Sequence, residues 1–225
     1  MIRTAGRRAG SRTVRRPLRF DGAPLRPTLP GGWRGLVEPS PSGWSFFLTW
    51  LRHPLRTAAV LPSGEALAAA MTAGIDPTTA PVIELGPGTG VFTRALLARG
   101  VPEHRIALVE LGAEFVEPLR QQFPRATLVR EDASRLGARQ FFGGEPAGAV
   151  VSGLPLLAMP PNTVRRVLDE AFTRLRPDGA FFQFTYGFRC PVPPALLDRL
   201  GLRSSRVGVA LRNVPPAAVY RIERR

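Results

Sequence analysis

The sequence predicts an α/β fold: a mostly parallel, seven-stranded sheet with helices on both faces and a helical extension on its N-terminal side. Three observations predict it. From Pro81 onward, short apolar runs alternate with segments of helical spacing, the pattern of strands joined by crossover helices. The first run, Val82-Ile83-Glu84-Leu85, passes into Gly86-Pro87-Gly88-Thr89-Gly90 and then into a helix-spaced segment ending at Arg99. The next two runs end at or just before a carboxylate, Glu110 and Asp132.

The elements follow in order. Pro62-Ser63-Gly64-Glu65 opens a helix through about Thr72, with Ser63 as the N-cap. Gly74 and Asp76-Pro77 end it. After the first strand and helix, Arg105 to Glu110 reads as a strand and Ala113 to Phe123 as a helix. Ala126 to Val129 is a strand, and a weak helix is expected near Ser134 to Phe142. Ala149 to Val151 is a strand, followed by a loop and a helix from about Asn162 to Leu175. Arg176-Pro177-Asp178-Gly179 reads as a turn, and Ala180 to Thr185 as a phenylalanine-rich strand. Pro194 to Leu200 is helical. Ser205 to Leu211 and Ala217 to Ile222 form a closing hairpin through Asn213-Val214-Pro215-Pro216.

Three segments are expected: a disordered arginine-rich tail over residues 1–42, an amphipathic helical extension over 43–78, and the α/β domain over 79–225. The tail holds nine arginines against Asp21 and Glu38, with 12 of its 42 residues proline or glycine. It has little apolar surface to offset the entropy of ordering. Arg15-Arg16 is not followed by the apolar segment that a twin-arginine signal needs. The composition also resembles a transit peptide. In the extension, Trp44, Phe47 and Trp50 lie close to Arg52 and Arg56. Aromatic residues beside arginines suit a bilayer headgroup region. Packing on the domain's own core is the alternative.

The 225-residue chain is 44% hydrophobic, enough for a sizeable core. Its one cysteine, Cys190, excludes an internal disulfide framework and a cysteine-rich zinc site, and no metal site is expected. No apolar run reaches the roughly 18 residues of a membrane span. The formal charge is +14, and all 31 basic residues are arginine. Such a surface attracts polyanions, either nucleic acid or anionic lipid.

The chemistry gathers at the strand ends. Glycines let the backbone turn tightly and allow a ligand to approach it. Glu110 can accept both hydroxyls of a ribose, and Asp132 can reach an adenine amine. In an open parallel sheet, ligands bind at the carboxyl ends of the strands. The spacing Gly-x-Gly-x-Gly differs from the dinucleotide pattern. Glu84, two residues before the first glycine, is unfavourable beside a pyrophosphate but favourable beside an ammonium or sulfonium. Charge complementarity therefore selects S-adenosylmethionine (SAM) as the cofactor.

These segments, VIELGPGTG, ALVEL ending at Leu111, and EDA at 131–133, resemble Rossmann-like class I SAM-dependent methyltransferases. The resemblance implies that Glu84, Gly86, Pro87, Gly88, Thr89 and Gly90 surround the methionine moiety. It implies that Glu110 and Leu111 hold the ribose side, and Asp132 and Ala133 the adenine. Val150-Val151-Ser152-Gly153-Leu154-Pro155 stands where amine-methylating members carry Asn-Leu-Pro-Tyr or Asp-Pro-Pro-Tyr. Ser152, Gly153 and the neighbouring carbonyls would then face the target nitrogen, and Tyr186 would hold a methylated ammonium by cation–π contact.

The wider set, FFLTWLRHPLRTAAVLPSG, VIELGPGTG, VVSGLPLL and FFQFTYG, resembles the bacterial phospholipid N-methyltransferases, which methylate phosphatidylethanolamine. Gly64 and Ala158 stand where members often carry serine and asparagine. The resemblance implies a cytoplasmic protein held peripherally at the inner face of an anionic membrane. Two alternatives remain at this stage: an RNA adenine N6-methyltransferase, or a methyltransferase of a small-molecule amine. Pro155 is followed by no aromatic residue that would stack on a flipped base.

Overall fold

The computed structural model describes Met1 and residues 62–137, 139–211 and 216–225. The expected tail, and Trp44, Phe47, Trp50, Arg52 and Arg56, lie outside the described residues.

Seven strands form one sheet: β1 (Val82–Leu85), β2 (Ile106–Glu110), β3 (Thr127–Arg130), β4 (Ala147–Ser152), β5 (Leu175–Tyr186), β6 (Leu202–Ala210) and β7 (Ala217–Arg224). Their order is β3-β2-β1-β4-β5-β7-β6. Strands β1 to β5 pair in parallel, and β7 runs antiparallel between β5 and β6. The order reverses between β1 and β4, which opens a crevice at their carboxyl ends. This is the Rossmann-like class I methyltransferase architecture.

The helices are α1 (Pro62–Thr72), α2 (Val91–Ala98), α3 (Ala113–Gln122), α4 (Pro161–Arg174) and α5 (Pro194–Arg199). Strand side chains alternate between the faces, so the core divides in two. One cluster joins Val82, Ile106, Leu108, Val151, Phe182 and Phe184 to Met71 of α1, Leu96 of α2 and Leu119 of α3. The other joins Ile83, Val109, Val150 and Phe181 to Val164, Val167 and Leu168 of α4 and Leu197 of α5. Helix α4 buries Val164, Val167, Leu168, Ala171 and Phe172, the single stripe that a period of 3.6 residues predicts. The junction of α4 with β5 is held by a side chain of β7. The Arg224 guanidinium donates to the carbonyls of Phe172, Leu175 and Arg176 and lies 5.2 Å over the Phe172 ring.

The strand expectations hold with shifted ends, and three local expectations change. Helix α1 begins at Pro62, so Ser63 falls inside the first turn rather than at the cap. No α-helix forms among the described residues of 134–142; only a 3-10 turn begins at Phe142. Gly137 and Phe142 adopt φ of 56° and 53°, followed by Gly143 and Gly144 at 68° and 92°. Left-handed residues cannot propagate a right-handed helix. The expected turn at 176–179 is carried inside β5. Leu175 pairs with Ala147 and Ala180 with Ala149, so four residues of β5 bulge opposite Gly148 alone.

Gly148 makes that bulge possible. A Cβ there would lie 1.9 Å from the Thr79 carbonyl oxygen. Gly148→Ala therefore requires backbone movement and should lower stability by about 3 kcal/mol. Gly64 is the contrast: it sits in α1, where a Cβ would meet nothing within 4 Å. Gly64→Ala should raise stability by roughly 0.5–1 kcal/mol. Urea midpoints of the two variants, read by far-UV circular dichroism, should move in opposite directions.

Candidate active site

The crevice is set by backbone contact. Leu85 at the end of β1 registers with Ser152 at the end of β4. The Gly153 N–H donates to the Leu85 carbonyl at 2.8 Å, and the Gly86 N–H to the Val109 carbonyl at 2.9 Å. A Cβ on Gly153 would lie 2.5 Å from the Gly86 carbonyl oxygen. The glycine turn after β1 and the loop after β4 are therefore packed backbone to backbone.

Within the turn, Gly86, Gly88 and Gly90 have φ of 67°, 55° and 77°, a region L side chains adopt at a cost. They differ in surroundings. A Cβ on Gly90 would strike the Phe123 ring at 2.5 Å, whereas one on Gly88 would meet nothing within 4 Å. Gly90 is needed for packing, and Gly88 keeps an open cradle.

Two carboxylates lie under this turn, on the face shared with α2 and α3. Glu110 at the end of β2 accepts the Gly88 N–H at 3.0 Å and the Gly112 N–H at 2.7 Å, one on each oxygen. Glu84 is wholly buried in β1. Its Oε2 accepts the Thr93 hydroxyl of α2 at 2.7 Å, and its Oε1 has no hydrogen-bond partner among the described residues. Burial pushes its carboxyl up to about 7, and the Glu110 charge adds to the rise; the Thr93 bond and Arg94 oppose it. An orphaned buried acceptor is costly. It is stabilised by a cation that reaches it.

The remaining expected residues are placed as follows. Pro87 is buried, and Thr89 is half-buried with its carbonyl accepting from the Arg94 guanidinium at 2.9 Å. Leu111 is 63% exposed, leaving an apolar surface beside Glu110. Asp132 accepts the Ser134 N–H at 2.8 Å, and Ala133 is buried beneath it. The Ser152 side chain is buried and accepts the Leu154 N–H at 3.3 Å. Tyr186 ends β5, edge-on to Phe184 at 5.6 Å, and Phe184 is edge-on to Phe92 at 6.0 Å.

Three residues were not singled out from the sequence. Thr93 holds Glu84, and Gly112 donates to Glu110. Gln183 registers with Ser152, and its amide donates to the carbonyls of Leu154 at 3.0 Å and Phe184 at 2.9 Å. Gln183 was detectable as the lone amide in the apolar run FFQF.

Cavities of about 300 Å³ also lie away from these strand ends, one beside Phe172 and Arg224 and another beside Phe141 and Arg174. Neither touches Glu84, Gly88 or Glu110.

Residues 82–179 match the family model described as a methyltransferase domain. The chain is 30% identical over 183 residues to the ornithine lipid N-methyltransferase of Singulisphaera acidiphila, covering 78% of this chain and 94% of that protein. It is 33% identical over 112 residues to ribosomal RNA small subunit methyltransferase A of Parabacteroides distasonis, covering 49% of this chain but 36% of that protein. Among solved structures, the Burkholderia thailandensis 1,6-didemethyltoxoflavin-N1-methyltransferase with bound S-adenosylhomocysteine aligns with a TM-score of 0.57 at 20% identity. That alignment covers 80% of this chain and 86% of that one. The glycopeptide N-methyltransferase MtfA complexed with sinefungin aligns with a TM-score of 0.55 at 16% identity, covering 74% and 96%. The chain belongs to the class I SAM-dependent methyltransferases. It is an enzyme, and SAM is its cofactor.

The buried Glu84 gives a pH dependence. Its carboxyl holds a proton more tightly in the folded chain, about 7, than at the ordinary value of 4.5. The folded state thus binds more protons between these values, and stability falls as pH rises through them. The loss approaches roughly 3 kcal/mol. Stability of the cofactor-free chain should decline from about pH 5 to about pH 8, and Glu84→Gln should flatten that decline. Urea titrations across this range check it; an unchanged slope in Glu84→Gln assigns the dependence to another group.

Proposed function

We propose that this protein is a SAM-dependent N-methyltransferase of a membrane aminolipid, with the amine headgroup of phosphatidylethanolamine as acceptor. The observation that carries this reading is the ornithine lipid N-methyltransferase relative, which the chain covers over 94% of its length. The ribosomal RNA methyltransferase relatives are covered only in part, 36% and 52% for those of Parabacteroides distasonis and Anaeromyxobacter sp. strain K. The loop after β4 points the same way. Pro155 is followed by Leu156, 2% exposed, where an RNA-modifying site would want an aromatic ring to stack on a flipped base.

The residues present fit the cofactor. Gly88 keeps an open cradle, and Glu84 Oε1 is a buried acceptor suited to the methionine ammonium. Glu110, whose oxygens already take the Gly88 and Gly112 N–H groups, has lone pairs left for ribose hydroxyls. Leu111 stands beside Glu110 on the ribose side, and Asp132 and Ala133 line the adenine side. When bound, SAM supplies a methyl group activated by its sulfonium.

The chain's own contribution is position. The carbonyls of Ser152 and Gly153 accept hydrogen bonds from the lipid nitrogen and orient its lone pair. The Ser152 hydroxyl accepts the Leu154 N–H and the Gln183 amide donates to the Leu154 carbonyl, so the Leu154 backbone is held at both ends. Water at the loop takes the nitrogen's proton, and the Tyr186 ring steadies the cationic product. Holding two reactants in line supplies much of a displacement's rate. The enzyme works peripherally at the cytoplasmic face of the membrane, helped by Trp44, Phe47, Trp50, Arg52 and Arg56.

The test uses the purified full chain with methyl-labelled SAM, offered vesicles of phosphatidylethanolamine, vesicles of ornithine lipid, and ribosomal RNA. Label should enter the phosphatidylethanolamine extract. Label only in ornithine lipid would keep the lipid-amine reading and change the headgroup; label only in RNA would overturn it. Separately, Glu110→Ala should weaken SAM binding at least tenfold in calorimetry. It loses charge-assisted hydrogen bonds of about 1.5–3 kcal/mol, and an unchanged affinity would place the ribose elsewhere.

A further inference from the structure

The outer corner of the sheet carries apolar side chains that the core does not use. Val209 and Leu211, two residues apart, are 40% and 71% exposed, and Phe188 is 57% exposed. The register brings them together. Val209 pairs with Ala218, which pairs with Thr185 near the end of β5. The Gly187 N–H reaches the Pro216 carbonyl at 3.3 Å, and the Tyr220 hydroxyl donates to the Phe188 carbonyl at 2.5 Å. The loop after β5 is thereby tied back over β7, beside the end of β6. Leu157, 59% exposed, lies on the loop after β4 at the same carboxyl edge.

Charge is concentrated on the same half of the molecule. Residues 82–146 hold eight arginines and eight acids, whereas residues 147–225 hold twelve arginines and five acids, a net of +7. Near the corner, Arg189 and Arg206 are exposed and form no ion pair among the described residues. Arg206 registers directly with Tyr220. Aliphatic and aromatic side chains flanked by unpaired arginines match a bilayer interface, apolar below and anionic above.

We infer that Phe188, Val209 and Leu211, flanked by Arg189 and Arg206, dock on an anionic lipid surface and present the strand-end site to the headgroups. The inference rests on the lipid reading of the acceptor, but its readout does not require methyl transfer. Each arginine that reaches the surface adds about fivefold to the partition coefficient.

The experiment uses the full chain and vesicles of equimolar phosphatidylglycerol and phosphatidylcholine, with pure phosphatidylcholine as the neutral control. The double variant Phe188→Ser, Leu211→Ser should bind the anionic vesicles at least tenfold more weakly, while SAM affinity and the thermal midpoint stay as in the parent. A second variant, Phe188→Trp, reports contact even where the arginine-rich N-terminal segment dominates affinity. Its added fluorescence should shift to the blue and be quenched by brominated acyl chains. Unchanged vesicle binding together with an unquenched Trp at 188 overturns the inference. Conversion of a dimer to a monomer by the double variant, with vesicle binding unaltered, also overturns it and makes the corner a contact between copies through edge strand β6. Loss of vesicle binding in a protein whose parent labels no lipid would keep the surface and remove the proposed acceptor.

Discussion

The site depends on one close approach: the Gly153 backbone lies against the Gly86 carbonyl, with no room for a side chain between them. That contact joins the cofactor turn after β1 to the loop after β4 across the point where strand order reverses. It fixes the distance between two segments that are 67 residues apart in the chain. Both neighbours of the contact are constrained as well. The Leu154 side chain sits where a Cβ on Gly86 would need to go, and the Leu154 backbone is held by Ser152 and Gln183. A displacement that needs in-line geometry tolerates little play, and this packing limits it.

Burying Glu84 works against folding and for binding. A carboxylate under the glycine turn loses its hydration, and the Thr93 hydroxyl replaces only part of it. The second carboxylate, Glu110, sits on the same face and disfavours a second charge. The cofactor-free turn therefore carries an unmet demand for a cation. A ligand bearing an ammonium satisfies it, so the stabilisation appears only on binding. Two acids beside three left-handed glycines would, on this physical ground, suit a cationic nucleotide better than a pyrophosphate.

The strand, glycine turn and helix around Glu84, and the nearness of Glu110 to that turn, were legible in the sequence, and the reason is locality. Strand β1, its turn and α2 are contiguous, and Glu110 ends the adjacent strand. The acceptor half was less legible because its geometry is set by distant contacts. Residues 134–142 read as helix-forming, yet the glycines at 137, 143 and 144 take positive φ and the segment loops instead. The bulge at 176–179 needs Gly148, whose role depends on Thr79, remote in sequence. Gln183 looked like one more strand residue until its partner, the Leu154 carbonyl, was placed beside it.

The two halves of the sheet also differ in what they face. All 31 basic residues are arginine, but a compositional bias acts on every segment alike. It does not explain a formal balance over residues 82–146 beside an excess of seven over residues 147–225. A small soluble cofactor needs no net charge around it, since single carboxylates such as Glu84 and Glu110 would address its ammonium and ribose locally. An extended anionic acceptor does, because attraction to a charged surface sums over many side chains. The excess lies in the segment that carries β4 to β7, whose strand ends hold Ser152 and Tyr186 and which also carries the exposed corner. On the proposed reading, the balanced half of the crevice serves SAM and the arginine-rich half faces a polyanionic surface. On the same reading, the exposed apolar corner at Phe188 and Leu211 matches the apolar interior that a bilayer has and an RNA helix lacks.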